Sequence, residues 1–116
     1  MPLRVLAVED DALILMNTVD MLEDFGCVVG EAVRGSEALS ILAADAYDVL
    51  LTDVGLPDMT GVELARRARL DAPEIVVIFA TGRMHVEGAE AIPGAIVLHK
   101  PFSMGDLQKL LKDIRK

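Results

Sequence analysis

Asp53 closes the apolar run Leu50-Leu51-Thr52 and is followed at once by Val54-Gly55-Leu56-Pro57, so a buried strand stops there and presents a carboxylate at its mouth. Other polar residues end apolar runs in the same way: Glu9 and Asp10 after Leu6-Ala7-Val8, Thr81 after Phe79-Ala80, and Lys100 after Leu98-His99. Carboxylates crowded at one crevice repel, which raises their pKa values or calls for a cation. Oxygen donors without His or Cys suit a hard ion such as Mg2+, which binds through one or two carboxylates plus a phosphate and keeps several waters. A phosphoryl ligand is therefore implied. Phosphoryl transfer needs positioning and neutralisation of dispersed negative charge more than covalent help; Mg2+ and Lys100 would supply the positive charge. A carboxylate can itself be the nucleophile and become an aspartyl-phosphate, and Asp53, with flexible Gly55 behind it, is the best placed. Thr81 would donate its hydroxyl to a phosphoryl oxygen, and backbone N–H groups of Val54 and Gly55 would add donors in the manner of an anion-binding nest.

These residues act together only if the fold gathers them. Short β-compatible runs are expected at residues 3–8, 27–32, 47–53, 75–80 and 95–98. Helical spacing is expected between them. The first helix, residues 12–25, has Asp11 as its cap, Gly26 as its stop and Ile14, Met21, Leu22 and Phe25 as its inward stripe. Leu13, Leu15, Met16 and Val19 exceed what one stripe requires, which fits either core packing or a docking face for a partner helix. A second helix spans residues 36–44 with Leu39 and Leu42 inward, and a third begins with the capping box Thr60-x-x-Glu63. Residues 83–92 are weakly helical and marginal, and Ser103-x-x-Asp106 caps a last helix carrying Leu107, Leu110, Leu111 and Ile114. Five strands alternating with five helices predict an α/β fold: a doubly wound five-stranded parallel sheet, flavodoxin-like in its order 2-1-3-4-5, with helices on both faces. Ligands of such sheets bind outside the carboxyl ends of the strands at the switch point. Glu9, Asp10, Asp53, Thr81 and Lys100 all fall on that edge.

Composition narrows the class. With 116 residues the chain fits one domain, and its 53% hydrophobic and 3% aromatic content predicts a core of aliphatic residues and Met. The net charge of −8, with no basic run, argues against direct nucleic-acid binding. No signal-peptide pattern follows Met1, and no apolar stretch is long enough to cross a bilayer, so no membrane association and a cytoplasmic location are expected. Cys27, the single cysteine, reads as a buried inert thiol, and the separated His85 and His99 read as surface or packing residues.

The pattern Val8-Glu9-Asp10-Asp11, Asp53-x-x-Leu56-Pro57-x-x-x-Gly61, Thr81-Gly82 and Lys100-Pro101-Phe102 resembles the receiver domain of two-component response regulators. The resemblance covers the whole chain and implies one CheY-like receiver domain over residues 1–116 with no effector domain. It implies that Asp53 takes phosphate from a histidine kinase or histidine phosphotransfer protein in a Mg2+-dependent reaction. Glu9, Asp10, Asp53 and the Gly55 backbone carbonyl would hold the Mg2+. Thr81 would be the switch hydroxyl, Lys100 would pair with the phosphate, and Lys100-Pro101 would be a cis peptide. Gly55 and Arg83, each two residues beyond a site residue, occupy positions that in receivers govern water access to the acyl phosphate. Receivers usually carry Tyr or Phe where this chain has Val97, which departs from the usual coupling of the switch hydroxyl to an aromatic ring. Phe79-Ala80-Thr81-Gly82 is similar to the signature of the atypical FATGUY receiver group, although Arg83-Met84 depart from it.

On this reading the chain is no ordinary enzyme: it undergoes self-phosphorylation and slow autodephosphorylation at Asp53. It serves as a signalling switch or phosphorelay intermediate, with a downstream protein target as a further partner. A receiver-like interaction module that is never phosphorylated is the alternative. A haloacid-dehalogenase-type phosphatase would want a second acid where Gly55 stands, and a flavodoxin would want a hydroxyl- and Gly-rich loop where Glu9-Asp10-Asp11 stand.

Overall fold

The short apolar runs are strands in the computed structural model, which describes residues 2–115: β1 (Arg4–Val8), β2 (Val28–Ala32), β3 (Val49–Asp53), β4 (Val76–Thr81) and β5 (Ile96–His99). Helix α1 (Ala12–Asp24), α2 (Gly35–Ala44) and α3 (Gly61–Asp71) connect the first four strands, and α4 (Met104–Arg115) follows β5. The signal-free start read from Met1 and the far end of the 1–116 span, Lys116, lie outside the described residues. The sheet is parallel throughout, in the order β2-β1-β3-β4-β5, as expected.

Both faces of the sheet are covered, and β3 shows why its sequence is an unbroken apolar run. Val49 and Leu51 join Leu15, Val19 and Leu22 of α1 and Leu107 and Leu111 of α4 in one core. Leu50, between them, points the other way, toward Ala38 of α2 and Leu64, Ala65 and Ala68 of α3. Leu50 and Leu64 are fully buried. Leu50→Ala is expected to lower the free energy of unfolding by about 2–5 kcal/mol, read as a lower urea midpoint with an unchanged denaturant slope.

The ends of α1 follow from identifiable residues. The Asp11 carboxylate accepts from the N–H groups of Leu13 (3.0 Å) and Ile14 (3.1 Å). At the other end Gly26 takes φ of 91°, and the N–H groups of Cys27 and Gly26 donate to the Leu22 and Glu23 carbonyls at 3.0 and 2.9 Å, a Schellman stop. The inward stripe is displaced from the expected one: Leu15, Thr18, Val19 and Leu22 are buried, whereas Ile14 is exposed together with Leu13 and Met16. Thr18 occupies a core-facing position and so breaks the apolar pattern from which the stripe was read.

The expected fifth helix is absent. Residues 83–92 contain only the 3-10 turn Ala89–Ala91, so among the described residues four α-helices accompany the five strands. Gly88 and Gly94 hold positive φ (86° and 76°), and Pro93 lacks an N–H, so the segment cannot continue a helical ladder. It is held instead by Val86 and Ile92, both buried against the core that contains Leu64 and Phe79. The capping box of α3 is half formed. Thr60 Oγ1 accepts from the Glu63 N–H at 3.0 Å, but the Glu63 carboxylate turns to Arg66 and Arg67, at 2.7 and 2.6 Å. The Ser103/Asp106 box of α4 is complete, with both hydrogen bonds at 3.0 Å.

Hydrogen bonds from Arg66 and Arg67 hold the Glu63 carboxyl at about 2, below its ordinary 4.5. A depressed carboxylate contributes stability that is present above its unfolded value and lost as pH falls through the folded one. Glu63→Gln is therefore expected to be less stable than the wild type at neutral pH, with the difference closing between about pH 4.5 and 2. The pairs are exposed, so added salt should shrink it as well. Urea melts across that pH range at two salt concentrations measure both effects.

Candidate functional site

Parallel strands bring Val8 beside Thr52 and Asp53 beside Ala80, so the segments following β1, β3 and β4 leave the sheet at one edge. Asp53 is the last residue of β3 and is half-buried. Its Oδ1 accepts from the N–H of Val54 at 2.9 Å, and its backbone carbonyl accepts from the Thr52 hydroxyl at 2.8 Å. Helix α3 begins directly beneath it: a Cβ at Gly61 would collide with the Asp53 carbonyl oxygen, which explains the glycine there.

The residues between Asp53 and α3 form a small hairpin. The Gly61 N–H donates to the Val54 carbonyl (2.7 Å) and the Leu56 N–H to the Met59 carbonyl (3.3 Å), with Gly55 bridged antiparallel to Thr60 and Pro57-Asp58 at the tip. Neither bond uses the N–H or C=O of Gly55. A residue at such a non-hydrogen-bonded pair directs both groups away from its partner strand, which leaves the Gly55 carbonyl outside the hairpin ladder.

Glu9, Asp10 and Asp53 come together, each offering an oxygen within 4.8 Å of the others. Glu9 is buried, Asp53 half-buried and Asp10 exposed. Lys100 joins them from beyond β5, its Nζ 2.6 Å from Glu9 Oε1 and 3.4 Å from Asp53 Oδ1. The second Glu9 oxygen accepts from the Asp11 N–H at 3.2 Å. Burial pushes the Glu9 carboxyl up and the Asp53 charge adds to this, against the opposing hydrogen bonds from Lys100 and Asp11; the net result is a raised pKa. Burial acts in the opposite direction on Lys100, but the Glu9 hydrogen bond and the two carboxylate charges outweigh it and hold the ammonium above its ordinary value. Three carboxylates and no nitrogen or sulfur donor make a set that suits a hard divalent ion.

Thr81 ends β4, is buried, and lies one residue past the neighbour of Asp53. Its hydroxyl accepts from the Arg83 N–H at 3.1 Å, and its carbonyl accepts from the Lys100 N–H at 2.8 Å, which ties the two site residues through the backbone. The Lys100-Pro101 peptide is cis, as the resemblance implied. Arg83 is exposed. Val97 lies beside Phe79 on the edge strand β5 and is 36% exposed.

Sequence reasoning missed Asp58. Its two carboxylate oxygens accept from the N–H groups of Gly35 (2.8 Å) and Ser36 (2.9 Å), the first two residues of α2. The partners are 23 and 22 residues away, so no local pattern reveals the pairing. The available clue was that Arg34, at the cap position of α2, has no suitable capping side chain.

The chain matches the model of the response regulator receiver domain over residues 5–112. It is 37% identical over 107 residues to the response regulator receiver protein CpdR of Brucella abortus, covering 90% of this chain and 89% of that protein. It is likewise 37% identical to the transcriptional regulatory protein PdtaR of Mycobacterium tuberculosis, covering 91% of this chain but only 53% of the longer relative. The high-resolution structure of the chemotaxis response regulator CheY4 of Vibrio cholerae superposes with a TM-score of 0.91 at 29% identity, covering 98% of this chain and 99% of that one.

Proposed function

We propose, for a chain that belongs to the response regulator receiver domain family, that Asp53 accepts a phosphoryl group from a phosphohistidine and that the chain acts as a two-component signalling switch or phosphorelay intermediate. The observation that carries this reading is the approach of Lys100 to two of three clustered carboxylates, 2.6 Å from Glu9 and 3.4 Å from Asp53, at the carboxyl edge of the sheet. A permanent cation beside the nucleophile is the neutralising element that phosphoryl transfer requires.

The Asp53 contacts with Val54 and Lys100 both fall on Oδ1, which orients the carboxylate that acts as nucleophile. As the bond from an Asp53 carboxylate oxygen to phosphorus forms, the phosphorus–nitrogen bond to the histidine breaks, and the imidazole leaves with that electron pair and takes a proton from solvent. Lys100, held charged by its carboxylate neighbours, faces the oxygens of the incoming group. A hydroxyl has one donor site and two acceptor sites. The Arg83 N–H occupies an acceptor site on Thr81, so the Thr81 proton remains for a phosphoryl oxygen. Glu9, Asp10, Asp53 and the Gly55 carbonyl would hold Mg2+, which when bound supplies further positive charge against the phosphoryl oxygens. The exposed Arg83 and the open position at Gly55 would set the access of water to the acyl phosphate, and with it the rate of autodephosphorylation.

For the donor, the exposed Leu13, Ile14 and Met16 of α1 adjoin a cavity of about 400 Å³ lined by Ile14, Asn17, Met21, Pro101 and Phe102 and reaching Lys100. This is the docking face we assign to the phosphohistidine-bearing helix of a kinase or phosphotransfer protein. A downstream target, a cytoplasmic location, and the absence of direct nucleic-acid or membrane binding belong to the same reading. No helix among the described residues is long and apolar enough to cross a membrane. Incubation with Mg2+ and a small acyl phosphate, followed by intact mass, tests the proposal. A wild-type chain that stays unmodified would leave only the interaction-module alternative.

A further inference from the structure

We propose that Asp58 is a positioning residue for the phosphoacceptor site, anchoring the hairpin that carries Gly55 to the first turn of α2. This rests on the phosphoacceptor reading of Asp53. Asp58 is at the hairpin tip, beyond the Leu56–Met59 hydrogen bond that separates it from Gly55. Both its oxygens are engaged, Oδ1 by the Gly35 N–H at 2.8 Å and Oδ2 by the Ser36 N–H at 2.9 Å. Charge-assisted bonds to two successive amides fix a carboxylate in direction as well as position. Beside it the Met59 side chain packs onto Gly35 so closely that a Cβ there would overlap it, so the same contact is closed by shape and by hydrogen bonds.

The route from Asp58 to the site runs through the hairpin ladder. Leu56–Met59 and Val54–Gly61 bonds flank Gly55 on either side, so the tip and the Gly55 peptide move as one piece. The other end of the hairpin is fixed by the contact of Gly61 with the Asp53 carbonyl. With the tip secured to α2 and the base to β3, the Val54 N–H keeps its bond to Asp53 and the Gly55 carbonyl keeps a fixed direction. Without Asp58 the hairpin keeps the packing of Leu56 and Met59 but loses both hydrogen bonds from its tip to α2, so the Gly55 carbonyl is held less firmly. Backbone N–H bonds from Ser36 and Gly35 hold the Asp58 carboxyl below its ordinary range, so the anchor stays charged through neutral pH.

Asp58 also caps α2, and a cap alone predicts lost stability without lost function. Arg34, extended at the cap position, separates the two roles. Arg34→Ser returns a side-chain cap to α2 without reconnecting the hairpin. Three proteins are compared: wild type, Asp58→Ala, and Arg34→Ser/Asp58→Ala. The measurements are thermal stability, Mg2+ affinity by calorimetry, amide exchange of residues 54–61 by NMR, and the rate of phosphoryl uptake from a small acyl phosphate.

In Asp58→Ala, Mg2+ affinity and uptake rate are each expected to fall about 10-fold, with faster exchange in residues 54–61. In the double variant the melting temperature should recover while affinity, uptake and exchange do not. Recovery of all of them along with stability would overturn the proposal, as would an Asp58→Ala protein altered only in stability. If the wild type takes up no phosphoryl group, the phosphoacceptor reading has failed. The anchoring role is then decided by Mg2+ affinity and amide exchange alone.

Discussion

Asp53→Asn should abolish phosphoryl uptake outright: intact mass after incubation with Mg2+ and an acyl phosphate should show an adduct on the wild type and none on the variant. The amide keeps the shape and keeps an oxygen for the Val54 N–H, so the fold should survive. It loses the anionic oxygen that forms the bond to phosphorus. Other carboxylates offer no substitute, because Glu9 has its oxygens on Lys100 and Asp11, and Asp10 lies on the exposed rim. An adduct persisting at wild-type level in Asp53→Asn would place the acceptor elsewhere and remove the basis of the assignment. The same variant should also bind Mg2+ more weakly, since one of three clustered carboxylates has lost its charge.

Lys100→Met should leave Asp53 as a nucleophile yet slow phosphoryl uptake by about 10²–10³-fold. Methionine preserves much of the unbranched stem while removing the ammonium that sits within 3.4 Å of Asp53. The loss should appear in the rate at saturating Mg2+, which separates it from an effect on metal binding. A stability cost is expected too, because Glu9 is 6% exposed and its 2.6 Å partner is gone, which leaves a buried carboxylate with only the Asp11 N–H. Lys100→Arg keeps the charge on a differently shaped head group. Partial recovery of the uptake rate in that variant would identify charge as the quantity that matters, whereas a Lys100→Met protein with the wild-type rate would remove Lys100 from the chemistry.

The polar residues at the ends of β1, β3, β4 and β5 were legible in the sequence because a buried strand leaves an unbroken apolar run, and its end is marked by the first acid, hydroxyl or ammonium. The strand order was not readable from periodicity; it came from the order common among five-stranded doubly wound sheets, and the sheet has it. Three features were not legible, each for a physical reason. Thr18 is buried on α1, and a polar residue in the inward stripe shifts the apparent face by a residue, so Ile14 was misplaced. Glu63 has the spacing of a capping box, but two arginines on the following turn compete for its carboxylate and win. Asp58 acts on α2 from another loop, a relation that exists only once the chain has folded.

The segment between β4 and β5 was recognised as marginal, and the 3-10 turn shows how it is built instead: two aliphatic anchors, Val86 and Ile92, with glycine-permitted bends at Gly88 and Gly94. The exposure of Val97 is the other side of that construction.

The backbone bond from Lys100 to Thr81 gives this construction a further meaning. Behind Thr81, Phe79 is sealed at 0% exposure, and Val97 beside it has no large ring to swing. On the proposed reading, a charge arriving at Asp53 would therefore have no ring to push through the sheet. It would be passed along the rim instead, through the bonds that join Lys100 and Arg83 to Thr81, and the surface a partner reads would lie next to the site itself.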